Sequence, residues 1–494
     1  MKKSKVFAFA GVTLLAATFL AACSGSKDSK SASKKDTTYG YVYTDDPTTL
    51  DYTVSSKASV HDITTNGVDG LLENDKYGNL VPSIAEDWSV SKDGLTYTYK
   101  IRKGVKWYDA DGEEHGEVTA HDFVTGLKHA ADKKSETLPL VQGSVKGLKD
   151  YVDGKITDFS QVGVKAVDDY TLEYTLNQPE TFWNSKTTNG VLMPINGEFL
   201  ESKGDNFGQP GDVKSILFNG PFLLKSITSK SEITFEKNEE YWDKDNVHID
   251  KIKFSYYDGS DQDSLARGFS DGSYSQARLF PASSNFASVE EKYKDNIYNT
   301  QPGSGVAVLG FNIDRQAYNH TSKTSDEQKS STKKAILNKN FRQAITFALN
   351  RENYSAQVNG KDYAKAAIRN MYTAPAFVQV NGKDFGDVVA DKLQTYGDQW
   401  SGVNLADSQD GLYNKDKAKA QFEKAKAELQ KEGVQFPIHL DVPVVQSSTN
   451  FVARMQSFKQ SVEDTLGTEN VVVGLQMMDQ DTILNITLNV PSAA

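Results

Sequence analysis

Along most of the chain, apolar positions recur with one of two periods. Leu95, Tyr97, Tyr99 and Ile101 alternate with Thr96, Thr98 and Lys100, which predicts a half-buried strand. Leu172, Tyr174 and Leu176 alternate in the same way, as do Ile233 and Phe235 within Ser231–Lys237. Helical spacing intervenes between these runs. A helix is predicted over Asp122–Ala130 behind Thr119 as N-cap, and Phe341, Ile345 and Ala348 recur at the spacing of one helical face. Across Asn414–Leu429 the residues Ala418, Phe422, Ala425 and Leu429 form one apolar stripe on an otherwise charged helix, which Gly433 stops; its charges read as a solvated face. Phe436–Val444 reads as a strand, and Pro437 and Pro443 suit it to a sheet edge better than a sheet centre. The mixture of both periods predicts an α/β fold, and no internal repeat of roughly 20–50 residues is present.

The N-terminus has a different pattern. Lys2, Lys3 and Lys5 precede an apolar run from Val6 to Ala22, broken only by Gly11, Thr13 and Thr18 and ending in Leu20-Ala21-Ala22-Cys23. A basic start, a short Ala-rich apolar run and a small-residue end make residues 1–22 a signal peptide rather than a membrane span. The tetrapeptide resembles a bacterial lipobox. The resemblance implies that Cys23 is linked to diacylglycerol and becomes the new N-terminal residue, anchoring the protein to the membrane with two acyl chains. Residues 24–36, rich in Ser and Lys and without an apolar side chain larger than Ala, then read as a flexible tether.

Composition narrows the function. The 494 residues carry 55 Lys+Arg against 66 Asp+Glu, a net charge of −11 that deepens once the three N-terminal lysines are removed. This balance, with no basic cluster beyond the N-terminus, argues against nucleic acid as partner. An aromatic content of 11% excludes wholesale disorder. A single Cys excludes an intramolecular disulfide framework and Cys-based metal sites.

Catalytic constellations are missing from the pattern. His115 and His121, with Asp122 adjacent, are six residues apart and lack the spacing of a helical zinc pair, so both read as surface or capping residues. Gly303-Ser304-Gly305 and Gly143-Ser144 lack the frames of a dinucleotide loop and a nucleophile elbow and read as turns. Glu113/Glu114 and Asp168/Asp169 are neighbours in sequence, which in a strand point to opposite faces. No catalytic residue, metal or cofactor is implied. What the chain offers instead is aromatic surface at Trp88, Trp107-Tyr108, Phe182-Trp183, Tyr241-Trp242 and Tyr256-Tyr257, most of it expected in the core and the rest able to line a cleft.

Three stretches carry a resemblance. Residues 85–128 place Ala85, Trp88, Asp93, Gly94, Tyr97, Arg102, Gly104, Val105, Trp107, Thr119, Ala120, Asp122 and Phe123 in a signature similar to that of bacterial extracellular solute-binding proteins of oligopeptide ABC importers, in particular the lipid-anchored streptococcal type. Residues 110–116 depart from it as a local loop extension. Phe218-Asn219-Gly220-Pro221-Phe222, with Asn238, Tyr241 and Trp242, resembles the same family's Gly-Pro-Tyr turn and Asn-x-x-Tyr-Trp. Phe311-Asn312 and the run Phe341-Arg342-Gln343-Ala344-Ile345, Ala348, Arg351 resemble its later helix.

The resemblance implies a two-lobed periplasmic-binding-protein-like fold with an extra subdomain inserted in the first lobe. Residues 37–80 and 216–310 would form the first lobe, 81–215 the subdomain, and 311–494 an incomplete second lobe. It further implies capture of oligopeptides in the interlobe cleft and delivery to an ABC permease with its ATPase subunits, by a monomer held at the extracytoplasmic membrane face. Another cargo on the same scaffold (a signalling peptide, a glycan or a nickel chelate) and a surface adhesin or hydrolase are the alternatives. Ligand contact is expected at Ser56, Lys57 and Ala58, with Ser56 and Ala58 acting through their main chains. Family members usually run further, through an acidic segment that anchors the peptide's amino end, so the chain is expected to be a fragment or truncated product. Loss of such a charged contact would cost about 1.5–3 kcal/mol.

Overall fold

The computed structural model describes residues 37–76, 78–298, 305–375 and 378–489. The expected signal peptide, Cys23, the tether and the Gly303-Ser304 pair lie outside the described residues. Strand β1 (Thr38–Tyr43) leads through an irregular segment to the short helix α1 (Ala58–Thr64). The chain then builds a four-stranded antiparallel sheet from β2 (Ala85–Val90), β3 (Thr96–Ile101), β6 (Val164–Asp168) and β7 (Thr171–Thr175), in the order β2-β3-β7-β6. The period-two residues behave as their pattern predicts: Tyr97, Tyr99, Ile101, Leu172 and Tyr174 are buried on one face, with Tyr97 opposite Tyr174 and Tyr99 opposite Leu172.

Between β3 and β6, the hairpin β4 (Lys106–Tyr108) and β5 (Glu114–Glu117) takes up the extension at 110–116. Helix α2 (Ala120–Asp132) follows it and covers the sheet at β6 and β7. It starts where expected because Thr119 N–H donates to Asp122 Oδ2 at 2.9 Å, reciprocating the capping box. The same oxygen accepts the Nε1–H of fully buried Trp107 at 3.1 Å, so one carboxylate caps the helix and satisfies the core indole. Burial pushes the Asp122 carboxyl up to about 6 against these hydrogen bonds. Trp183 is also fully buried and packs against Tyr174 with ring centroids 5.2 Å apart, whereas its neighbour Phe182 is exposed.

The chain next forms β8 (Phe222–Thr228), β9 (Glu232–Lys237) and β10 (Lys251–Tyr256), and β10 pairs in parallel with β1 from Thr38↔Lys251 to Tyr43↔Tyr256. A parallel pair needs a long crossover, and here everything from Thr44 to β8 supplies it. The apolar cluster beneath this sheet gathers Leu50, Tyr52, Ile63, Phe218, Leu224, Phe235 and Ile252, distinct from the cluster of the antiparallel sheet.

A third cluster belongs to the later chain. Helices α3 (Asp326–Leu337), α4 (Lys339–Ala348), α5 (Arg351–Tyr363), α6 (Lys415–Lys431) and α7 (Thr449–Leu466) surround the parallel strands β11 (Ile438–Val445) and β12 (Val471–Met478), and α8 (Gln480–Leu484) follows β12. The stripe Ala418, Phe422, Ala425 and Leu429 is buried along α6, as are Phe341, Ile345 and Ala348 on α4. Strand β11 bonds to β12 through its even-numbered residues, Ile438 N–H to Asn470 O at one end. Pro443, at an odd position, therefore removes no bond from that ladder. Among the described residues no helix is long and apolar enough to cross a membrane.

Candidate functional site

Open parallel sheets place ligands in the crevice beyond the carboxyl ends of their strands. In the parallel pair β1/β10 those ends are Tyr43 and Tyr256, and in the pair β11/β12 Val445 and Met478. The segments that leave them meet. Gln262 Nε2 donates to Asn450 Oδ1 at 2.9 Å, and Lys57 Nζ donates to Asp481 Oδ1 at 2.9 Å. Segments beyond the carboxyl ends of the two parallel pairs thus touch, and the boundary between them is the candidate site.

The wall formed by residues 50–58, between β1 and α1, is irregular yet held at nearly every step. Leu50 N–H donates to Gly208 O at 2.7 Å. Gly208 adopts φ +69°, and a Cβ there would stand 2.5 Å from the Asp51 nitrogen, so only glycine allows this approach. Asp51 Oδ1 accepts from the Thr53 hydroxyl at 2.8 Å, while Oδ2 meets His129 Nε2 of α2 at 2.7 Å in a buried pair. Glu136 N–H donates to Val54 O, and His61 Nε2 lies 2.9 Å from Ser55 O.

The three residues expected to contact ligand lie at the end of this wall. Ser56 is exposed, and both its N–H and its hydroxyl donate to Glu136 Oε2, at 2.8 and 2.7 Å. Lys57 is half-buried, N-caps α1 and donates its N–H to Ser55 Oγ at 3.1 Å. Ala58 opens α1 and is exposed. Glu136 and Asp481 were not among the sequence-predicted residues. They lie 80 and 424 positions away from their partners, so no local pattern points to them.

Behind α1 lies a cavity of about 150 Å³ lined by Tyr52, His61, Thr64, Val68, Asn189 and Met193. A space of about that size accommodates a benzene-sized molecule and is too small for an extended peptide. His115 and His121 are not brought together: His115 faces Asp109 and His121 faces Asp169, each at 3.4 Å. Among the described residues no group of three or more His, Cys, Asp or Glu side chains is placed to hold a metal ion.

Residues 79–488 match the model of the bacterial extracellular solute-binding proteins, family 5. The chain belongs to that family. It is 64% identical over 494 residues to the oligopeptide-binding protein AmiA of Streptococcus pneumoniae, covering 100% of this chain and 75% of AmiA. It is 60% identical over 497 residues to the oligopeptide-binding protein SarA of Streptococcus gordonii, covering 100% of this chain and 75% of SarA. Among solved structures, the substrate-binding domain of an oligopeptide ABC transporter from Bacillus anthracis superposes with a TM-score of 0.66 at 23% identity, over 91% of this chain and 77% of that one. That likeness confirms the two-lobed fold expected from the family's signature residues.

Proposed function

We propose that this chain is the substrate-binding subunit of an ABC importer, capturing oligopeptides between its lobes and delivering them to the permease. The observation that carries this reading is the identity of 64% with an oligopeptide-binding protein along the whole chain. The geometry is in keeping with it, because the segment at 50–58 meets the segment beyond β12 through Lys57 and Asp481. Main-chain pairing gives affinity for extended peptides of many sequences, and closure of two lobes excludes water around them. Ser56 and Ala58 would pair with the peptide through their main chains, with Lys57 between them. Such capture requires no bond-making residue, so the protein is read as a binder and not an enzyme.

In this reading residues 37–80 and 216–310 form the first lobe, 81–215 the inserted subdomain and 311–494 the second lobe. Cys23 carries the lipid, and residues 24–36 leave the lobes free to turn at the extracytoplasmic face. Replacing Cys23 by Ser should move the protein from the membrane fraction to the medium, and retention of the variant in the membrane would remove Cys23 as anchor.

Binding is tested by thermal melts of the chain from Ser24 onward with and without a mixed oligopeptide pool. Ligand at about 100 times its Kd stabilises the native state by about 2.7 kcal/mol, so a clear rise in Tm is expected with intact peptides recovered afterwards. A cooperative melt that peptides leave unmoved, or hydrolysis of the pool, would overturn the reading.

A further inference from the structure

Ser56 and Lys57 are each matched to a carboxylate from elsewhere in the chain. Ser56 N–H and Oγ hold Glu136, and the Lys57 ammonium holds Asp481 from across the cleft. The Lys57–Asp481 contact is the more readily exchanged. The Asp481 side chain is 70% exposed and leaves the pair at little loss, whereas Lys57, at 26%, stays anchored on the wall beside the peptide-pairing residues. A peptide laid along Ser56 and Ala58 brings its own side chains within reach of the Lys57 ammonium.

We propose that Lys57 is a specificity-determining subsite for an acidic group of the captured peptide, and that Asp481 is the internal carboxylate which that group displaces. The inference rests on the oligopeptide reading and adds a charge preference to it. The displaced Asp481 returns to water, and the ligand carboxylate takes over a charge-assisted hydrogen bond that is already oriented toward the cleft. A side-chain carboxylate and the peptide's terminal carboxylate share this chemistry.

The test uses calorimetric titration of alanine-rich hexapeptides carrying Glu or Gln at the third position, each with a free or an amidated C-terminus. The native chain should bind the Glu peptide about threefold to tenfold more tightly than the Gln peptide. Lys57→Met should erase that preference while Lys57→Arg keeps it, and Asp481→Asn should widen it by removing the competitor. If amidation produces the Lys57-dependent loss and the Glu-to-Gln change does not, the terminal carboxylate is the group read. Retention of the preference in Lys57→Met, weaker binding of acidic peptides by Asp481→Asn, or indifference of the native chain to both changes would overturn the proposal. A native chain that binds none of the four peptides would overturn the oligopeptide reading itself, an outcome distinct from binding without charge preference.

Discussion

Replacing Asp441 by Ala should destabilise the unit built around β11 and β12 by about 3–5 kcal/mol, a large loss for one side chain. Asp441 lies on β11 and its carboxylate gathers donors from the 315–323 segment. Arg315 Nη1 stands at 2.7 Å, Lys323 Nζ at 2.5 Å, Thr321 Oγ1 at 2.6 Å, and Ser322 gives both its N–H at 2.8 Å and its hydroxyl at 2.6 Å. Lys323 and Asp441 are almost completely buried, with side-chain exposures of 2% and 4%. Removing the carboxylate leaves a buried ammonium and a guanidinium without their shared counter-charge, and that uncompensated burial outweighs the loss of any one hydrogen bond.

The pH dependence follows with a definite sign. Burial works to raise the Asp441 carboxyl, but hydrogen bonds from Lys323, Ser322 and Thr321 outweigh it and hold the group well below the usual carboxylate range. A depressed carboxyl contributes stability that is present above its unfolded value near 3.8 and is lost as pH falls through the folded value. The native protein should therefore lose this contribution only in strong acid, and the Ala variant should lack that part of the acid transition. Hydrogen exchange along β11 and β12 resolves the effect from the rest of a multi-lobed chain. Unchanged protection in the variant at neutral pH would show that the cluster does not hold that unit.

Strand β11 was legible in the sequence, but its parallel partner β12 and the charge that binds the preceding segment to β11 were not. Alternation of Ile438, Leu440, Val442 and Val444 is a local signal, and so is the apolar stripe of α6; both require only a period. The helix α2 was legible because Thr119 and Asp122 cap it three residues apart. The candidate site is built otherwise. Asp51 meets His129 at a separation of 78 residues, Ser56 meets Glu136 at 80 and Lys57 meets Asp481 at 424. Each of these residues is an ordinary polar side chain, some in irregular stretches and some on helices such as α2 and α8, and only the tertiary path of the chain gives it a partner. The family resemblance carries the expectation of ligand contact at 56–58 but says nothing of the carboxylates that approach those residues.

Asp69→Asn should do the opposite of Asp441→Ala and stabilise the protein at pH 8. Asp69 is held where the chain passes from α1 toward the antiparallel sheet. Its N–H donates to Asn219 Oδ1 at 2.7 Å, and its Oδ2 accepts the Tyr241 hydroxyl at 2.7 Å. Burial pushes its carboxyl up to about 7; the Tyr241 hydrogen bond works against this, while Glu73 and Asp243 add to it. Tyr241 itself is pushed upward, first by burial and then by the Asp69 charge.

A carboxyl raised from 3.8 to about 7 stabilises the fold fully below the unfolded value and ceases to do so as pH rises through the folded one. At pH 8 the native chain therefore bears a penalty of about 4 kcal/mol at most, and relaxation around the site reduces it to about 2–4 kcal/mol. Asn keeps a carbonyl oxygen for the Tyr241 hydroxyl and is neutral at every pH. The variant should gain that amount at pH 8, gain little at pH 4, and lose the decline in stability between those limits. Denaturant unfolding followed at several pH values, with Tyr241→Phe as a companion that removes the hydroxyl and not the carboxyl, separates charge burial from hydrogen bonding. If Asp69→Asn keeps the native pH slope, the carboxylate is already compensated at neutral pH and the burial argument fails.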